Sequence, residues 1–124
     1  MTTPLEPRGT LTSHVLDTAL GKPARTMTVT VEVRSRSSDA AEAWTVIAEE
    51  RTDGEGRVRD LLGGNTLEAR VYRVTFETGA YFRAAGRPVF YPRVQVEIAI
   101  TAPAEHHHIP LLLSPFGYST YRGN

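Results

Sequence analysis

The chain has 124 residues, enough for one domain with a real core, and no cysteine, which excludes a disulfide framework and thiol catalysis. Its 14 basic and 14 acidic residues cancel, which excludes a general electrostatic pull toward nucleic acid or an acidic membrane surface. No apolar run approaches the roughly 20 residues that span a bilayer, and Met1 to Arg8 carry no basic-then-apolar secretion pattern, so a cytoplasmic location is expected.

Residues 1–10 read as a flexible N-terminal arm and 11–124 as a single domain. Leu11 to Asp17 is a first strand, with Leu11, Ser13, Val15 and Asp17 on one face and Thr12, His14 and Leu16 on the other. Gly21-Lys22-Pro23-Ala24 reads as a loop. Val29, Val31 and Val33 alternate with Thr28, Thr30, Glu32 and Arg34, the pattern of an antiparallel strand wetted on one side. The polar residues 35–41 read as a loop, and Trp44 to Glu50 as a third strand with Trp44, Val46 and Ala48 inward. Asp53-Gly54-Glu55-Gly56 is a tight turn, followed directly by Arg57.

Further on, Tyr72, Val74 and Phe76 alternate with Arg73, Thr75 and Glu77, and Val94, Val96, Ile98 and Ile100 with Arg93, Gln95 and Glu97. Between these strands, residues 79–86 are bounded by glycines and predict the one short helix. His106 to Leu113 predicts a strand that Pro110 should confine to a sheet edge or a bulge. Ser114-Pro115-Phe116-Gly117 is a turn, and Tyr118 to Tyr121 a strand antiparallel to the one before. About eight short strands with turn signals every 8–12 residues or so predict an all-β sandwich.

The residue types that carry chemistry are few. A lone strand histidine such as His14 is more often structural or simply exposed, and an arginine after a turn such as Arg57 is usually just solvated. His106 and His108 share a strand face, and with His14 they could supply the three ligands of a zinc site. A zinc-binding hydrolase is therefore one reading of these residues.

The run from His106 to Gly123 resembles the C-terminal signature of the 5-hydroxyisourate hydrolases of the transthyretin-related family, which end in Tyr-Arg-Gly-Ser after a His-x-His-x-Pro-Leu-Leu strand. Here the last residue is Asn124, and His107 stands where the family commonly has tyrosine. Ser13-His14-Val15-Leu16-Asp17 with Gly21-Lys22-Pro23-Ala24 is similar to the family's N-terminal signature, and Thr52-Asp53-Gly54-Glu55-Gly56-Arg57 to its Thr-Asn/Asp-x-Asp-Gly-Arg segment.

The resemblance implies a transthyretin-like (prealbumin) β-sandwich of two four-stranded sheets, with a short helix between the fifth and sixth strands. It further implies hydrolysis of 5-hydroxyisourate to 2-oxo-4-hydroxy-4-carboxy-5-ureidoimidazoline in urate breakdown, in a homotetramer, with no cofactor and no metal. By the same resemblance His14, Arg57 and His108 are catalytic, and His14, Arg57, His106, Tyr121, Arg122 and Gly123 bind substrate. A non-enzymatic carrier like transthyretin is the competing reading. It lacks the histidines, the turn arginine and the Tyr-Arg-Gly ending.

Overall fold

The computed structural model describes residues 8–36 and 43–124. Residues 1–7 of the expected arm and 37–41 of the expected loop lie outside the described residues. Among the described residues the elements are β1 (Thr10–Asp17), β2 (Lys22–Pro23), β3 (Thr28–Arg34), β4 (Trp44–Arg51), β5 (Arg57–Val58), β6 (Val71–Phe76), α1 (Thr78–Ala84), β7 (Val94–Ala99), β8 (His106–Ser114) and β9 (Gly117–Thr120). Thr10, assigned to the arm from sequence, is already the first residue of β1.

These strands form two sheets. One runs β4-β3-β6-β7; the other runs β2-β1-β8-β9, with β5 also paired to β1. Lys22 and Pro23, read as a loop, pair with Asp17 and Leu16. This adds a fifth strand to what was expected to be a four-stranded sheet. The helix falls between β6 and β7, close to where its flanking glycines put it.

The period-2 patterns are what the packing uses. Leu11, Val15, Leu111 and Leu113 of one sheet and Val29, Val31, Val74 and Phe76 of the other are completely buried in one shared core. Burial of each such side chain contributes about 1.5–3 kcal/mol. The third strand departs from its expected pattern. The β3–β4 register shifts between Val31, opposite Ala48, and Glu32, opposite Val46. This bulge leaves Ile47 without a rung partner and reverses the alternation. Val46 is therefore 60% exposed, not inward, and Ile47 packs against the core instead.

Pro110 also behaves differently from the expectation. It lies neither at an edge nor in a bulge, because β8 runs between β1 and β9. Leu111 pairs with Thr120 and His108 bridges to Gly123 in the same register, so the ladder is interrupted without slipping. Proline has no N–H to give that ladder, and the gap falls at its position. The Thr120 hydroxyl instead donates to the Pro110 carbonyl at 2.7 Å.

Candidate active site

The outer face of the five-stranded sheet gathers residues from distant parts of the chain. Across the sheet, Arg57 of β5 pairs with His14 of β1, which pairs with Pro110 of β8. Neighbouring strands lie about 4.8 Å apart, so these three residues form one short row. The next row on the same face holds Thr12, His108 and Gly123, about 7 Å along the strands. The row after that holds Thr10 and His106. Thus His14, Arg57, His108, His106 and Gly123, all singled out from sequence, stand together.

Arg57 is presented by a stitched turn. The Asp53 carboxylate accepts the N–H of Glu55 at 2.8 Å and of Arg57 at 2.9 Å. Those backbone hydrogen bonds, Arg57 first, hold the Asp53 carboxyl below its ordinary value. Gly56 must be glycine: its φ is +78°, and a Cβ there would come within 2.4 Å of the Val15 carbonyl oxygen. The turn is tied to β1 by the Val15 N–H, which donates to Gly56 O at 2.7 Å, and by His14. His14 Nε2 lies 2.8 Å from the Glu55 carbonyl oxygen. A carbonyl only accepts, so this ring nitrogen carries the hydrogen.

His108 is half-buried, with its Nδ1 2.7 Å from the Thr12 hydroxyl. Gly123 lies against the opposite edge of the ring, where a Cβ would meet His108 Cδ2 at 2.7 Å. The His108 imidazole is held below the ordinary value of 6.5, first by burial and then by repulsion from His106, Arg57 and His14. A neutral, partly desolvated imidazole beside a guanidinium is suited to accept a proton from water. His106 stacks on His108 with centroids 6.3 Å apart, its Nδ1 turned to the Thr10 hydroxyl.

Thr12, Arg57, Arg59, His106, His108 and Asn124 line a cavity of about 280 Å³. Tyr121 and Arg122 open onto a neighbouring cleft of about 320 Å³ that shares His108 and includes Val96, Ile98, Ile100 and His107 among its walls. Tyr121 is 57% exposed, and Arg122 pairs with Glu105 at 3.0 Å. These two expected substrate contacts therefore border the histidine–arginine cavity and do not line it. Arg59 and the hydroxyls of Thr10 and Thr12 are site residues that sequence reasoning missed. Thr12 was on the same predicted strand face as His14, which was the available signal.

Among the described residues no three His, Cys, Asp or Glu side chains are placed to hold a metal ion. His14 Nε2 is turned to a backbone carbonyl, and the Nδ1 atoms of His106 and His108 face threonine hydroxyls.

A family model described as HIUase/Transthyretin family matches residues 11–123. The chain belongs to this family. It is 44% identical over 118 residues to the 5-hydroxyisourate hydrolase of Caulobacter vibrioides, covering 92% of this chain and 97% of that one. The structure of Klebsiella pneumoniae 5-hydroxyisourate hydrolase matches with a TM-score of 0.79 at 36% identity, covering 94% of this chain and 99% of that one. Sea bream transthyretin in complex with thyroxine matches with a TM-score of 0.81 at 32% identity, covering 91% of this chain and 93% of that one. Hydrolases and a thyroxine-bound transthyretin within this family thus share the sandwich, and side chains must distinguish them.

Proposed function

We propose that this chain hydrolyses 5-hydroxyisourate, with His108 as the base that takes a proton from water, His14 positioning that water, and Arg57 binding and polarising the ring. The hydroxyl adds to the acyl carbon, the ring C–N bond breaks, and the proton passes to the departing nitrogen. A guanidinium, charged at any working pH, suits the developing oxyanion. The observation that carries this reading is the single sheet face shared by His14, Arg57 and His108. Ser114 offers no competing nucleophile, since its hydroxyl donates to the Gly117 carbonyl at 3.1 Å.

Following the absorbance of freshly generated 5-hydroxyisourate with and without the protein tests the proposal. Accelerated decay supports the hydrolase; unchanged decay leaves the carrier reading, for which the thyroxine-bound relative is the precedent. Gly123→Ala is expected to lower kcat roughly tenfold by pushing the His108 ring out of line. A wild-type kcat would show that the ring can shift without cost.

The same reading includes a cytoplasmic location and a homotetramer with sites in a channel between dimers. Among the described residues no helix is long and apolar enough to cross a membrane. Assembly is supported by exposed aromatics that would otherwise face water. Phe90 is 62% and Phe116 67% exposed, with their rings 6.0 Å apart, and Tyr91 packs on Tyr118 beside them. Patches of this kind mark interaction surfaces. Light scattering is expected to report four subunits, and a stable, active monomer would overturn the assembly.

A further inference from the structure

We propose that Thr12 is a positioning residue for His108: its hydroxyl accepts the hydrogen on Nδ1 and thereby leaves the Nε2 lone pair free for water. This rests on the reading of His108 as the base.

The ring is gripped on two edges. Thr12 and His108 are rung partners in the parallel β1–β8 ladder, with hydroxyl and Nδ1 2.7 Å apart. On the Cδ2 and Cγ side lies Gly123, where an added Cβ would come within 2.7 and 3.4 Å of those atoms, and its N–H donates to the His108 carbonyl at 2.7 Å. The edge left without a partner is that of Cε1 and Nε2, and His108 lines a cavity together with Arg57. One row along, the Thr10 hydroxyl meets His106 Nδ1 in the same way. The two imidazoles lie within 16° of parallel, as expected when neighbouring strand hydroxyls set the plane of each ring. Threonine suits this task because branching at Cβ restricts χ1 and holds the hydroxyl in place.

The direction of the hydrogen bond decides what the ring can do. Neutral imidazole carries one hydrogen. If the hydroxyl donates to Nδ1, the hydrogen sits on Nε2 and that edge is a donor, unable to take a proton from water. If the hydroxyl accepts, Nε2 is the base, and the acceptor then also stabilises the imidazolium formed when the proton arrives. Thr12 thus selects the tautomer as well as the orientation, from outside the reacting atoms.

Nitrogen-15 NMR of the His108 ring, recorded above its titration, reads the tautomer without substrate. Hydrogen on Nδ1 is expected in the wild-type protein and in Thr12→Ser, and a shift toward Nε2–H in Thr12→Val. Kinetically, Thr12→Val is expected to lose roughly 10- to 10²-fold in kcat with KM little changed, and Thr12→Ser to recover most of it. Loss of an acceptor from Nδ1–H makes the imidazolium less favourable, so the acid limb of the pH–kcat profile should move to lower pH. An Nε2–H tautomer in the wild-type protein, a limb that moves to higher pH, or a Thr12→Val enzyme with wild-type kcat would each overturn the proposal. Should the wild-type protein leave 5-hydroxyisourate decay unchanged, the hydrolase reading fails on its own, and the NMR spectrum still decides the role of Thr12.

Discussion

His108→Ala should lower the protein's acceleration of 5-hydroxyisourate decay by at least about 10²-fold, the lower range for removing a positioned acid–base group. Arg57→Ala should cost at least about as much, because a charged donor for the developing oxyanion disappears. The two variants differ in their pH dependence. The His108 imidazole is held below 6.5, by burial first and then by the positive charges of His106, Arg57 and His14. A base must be unprotonated, so the wild-type activity is retained down to a pH below that value and is lost as pH falls through the depressed pKa. In Arg57→Ala one repelling charge is gone, His108 takes up its proton more readily, and the acid limb of the residual activity should move to higher pH. Steady-state rates from pH 4 to 9 on wild type and both variants check all of this. A His108→Ala protein as fast as wild type would remove the imidazole from the mechanism.

The second large effect concerns stability. Asp17 ends β1 on its inward face and is completely buried. Its carboxylate accepts hydrogen bonds from Arg87, from the Tyr81 hydroxyl at 2.8 Å and from the Leu20 N–H at 3.1 Å. Burial alone would raise its pKa, but those bonds from Arg87, Tyr81 and the Leu20 backbone outweigh burial and leave it below 3.8. Arg87→Ala should destabilise the fold by about 3–5 kcal/mol at neutral pH, because it strands a buried carboxylate. It also removes the guanidinium stacked 4.9 Å from the Phe82 ring centroid.

The sign of the pH dependence follows from linkage. In wild type the folded pKa is depressed, so the stabilisation is present above the unfolded value of 3.8 and is lost as pH falls through the folded one. In Arg87→Ala the folded pKa is raised instead, and the penalty fades once the carboxyl is protonated. Urea denaturation at pH 7 and pH 3 should therefore show a large gap between the two proteins that narrows on acidification. A gap that stays constant with pH would mean that packing, not the ion pair, is what was lost.

Much of the sandwich was legible because its strands bury alternate residues, and alternation is a local property of the chain. The valines of β3 and the inward set of β1 took the faces their spacing assigned. Val46 did not, because a bulge depends on how two strands align, and nothing within β4 records the register of β3. Asp17 showed the same limit in another form. Its inward position could be read from period-2 spacing, but the arginine that makes a buried carboxylate tolerable sits 70 residues later, beyond the helix.

The candidate site divides along the same line. Sequence by itself determined which chemical groups are available, the family signatures that carry them, and the tight turn that presents Arg57. The tertiary structure alone decided that β1 runs parallel to β8, which puts Thr12 beside His108 and His14 beside Pro110. It also decided that Gly123 closes on the imidazole, and that Tyr121 and Arg122 face an adjoining cleft. The physical reason is range. Turn geometry and strand alternation are set by neighbours a few bonds away, whereas parallel pairing joins segments 96 residues apart whose register is chosen by the packing of the whole core.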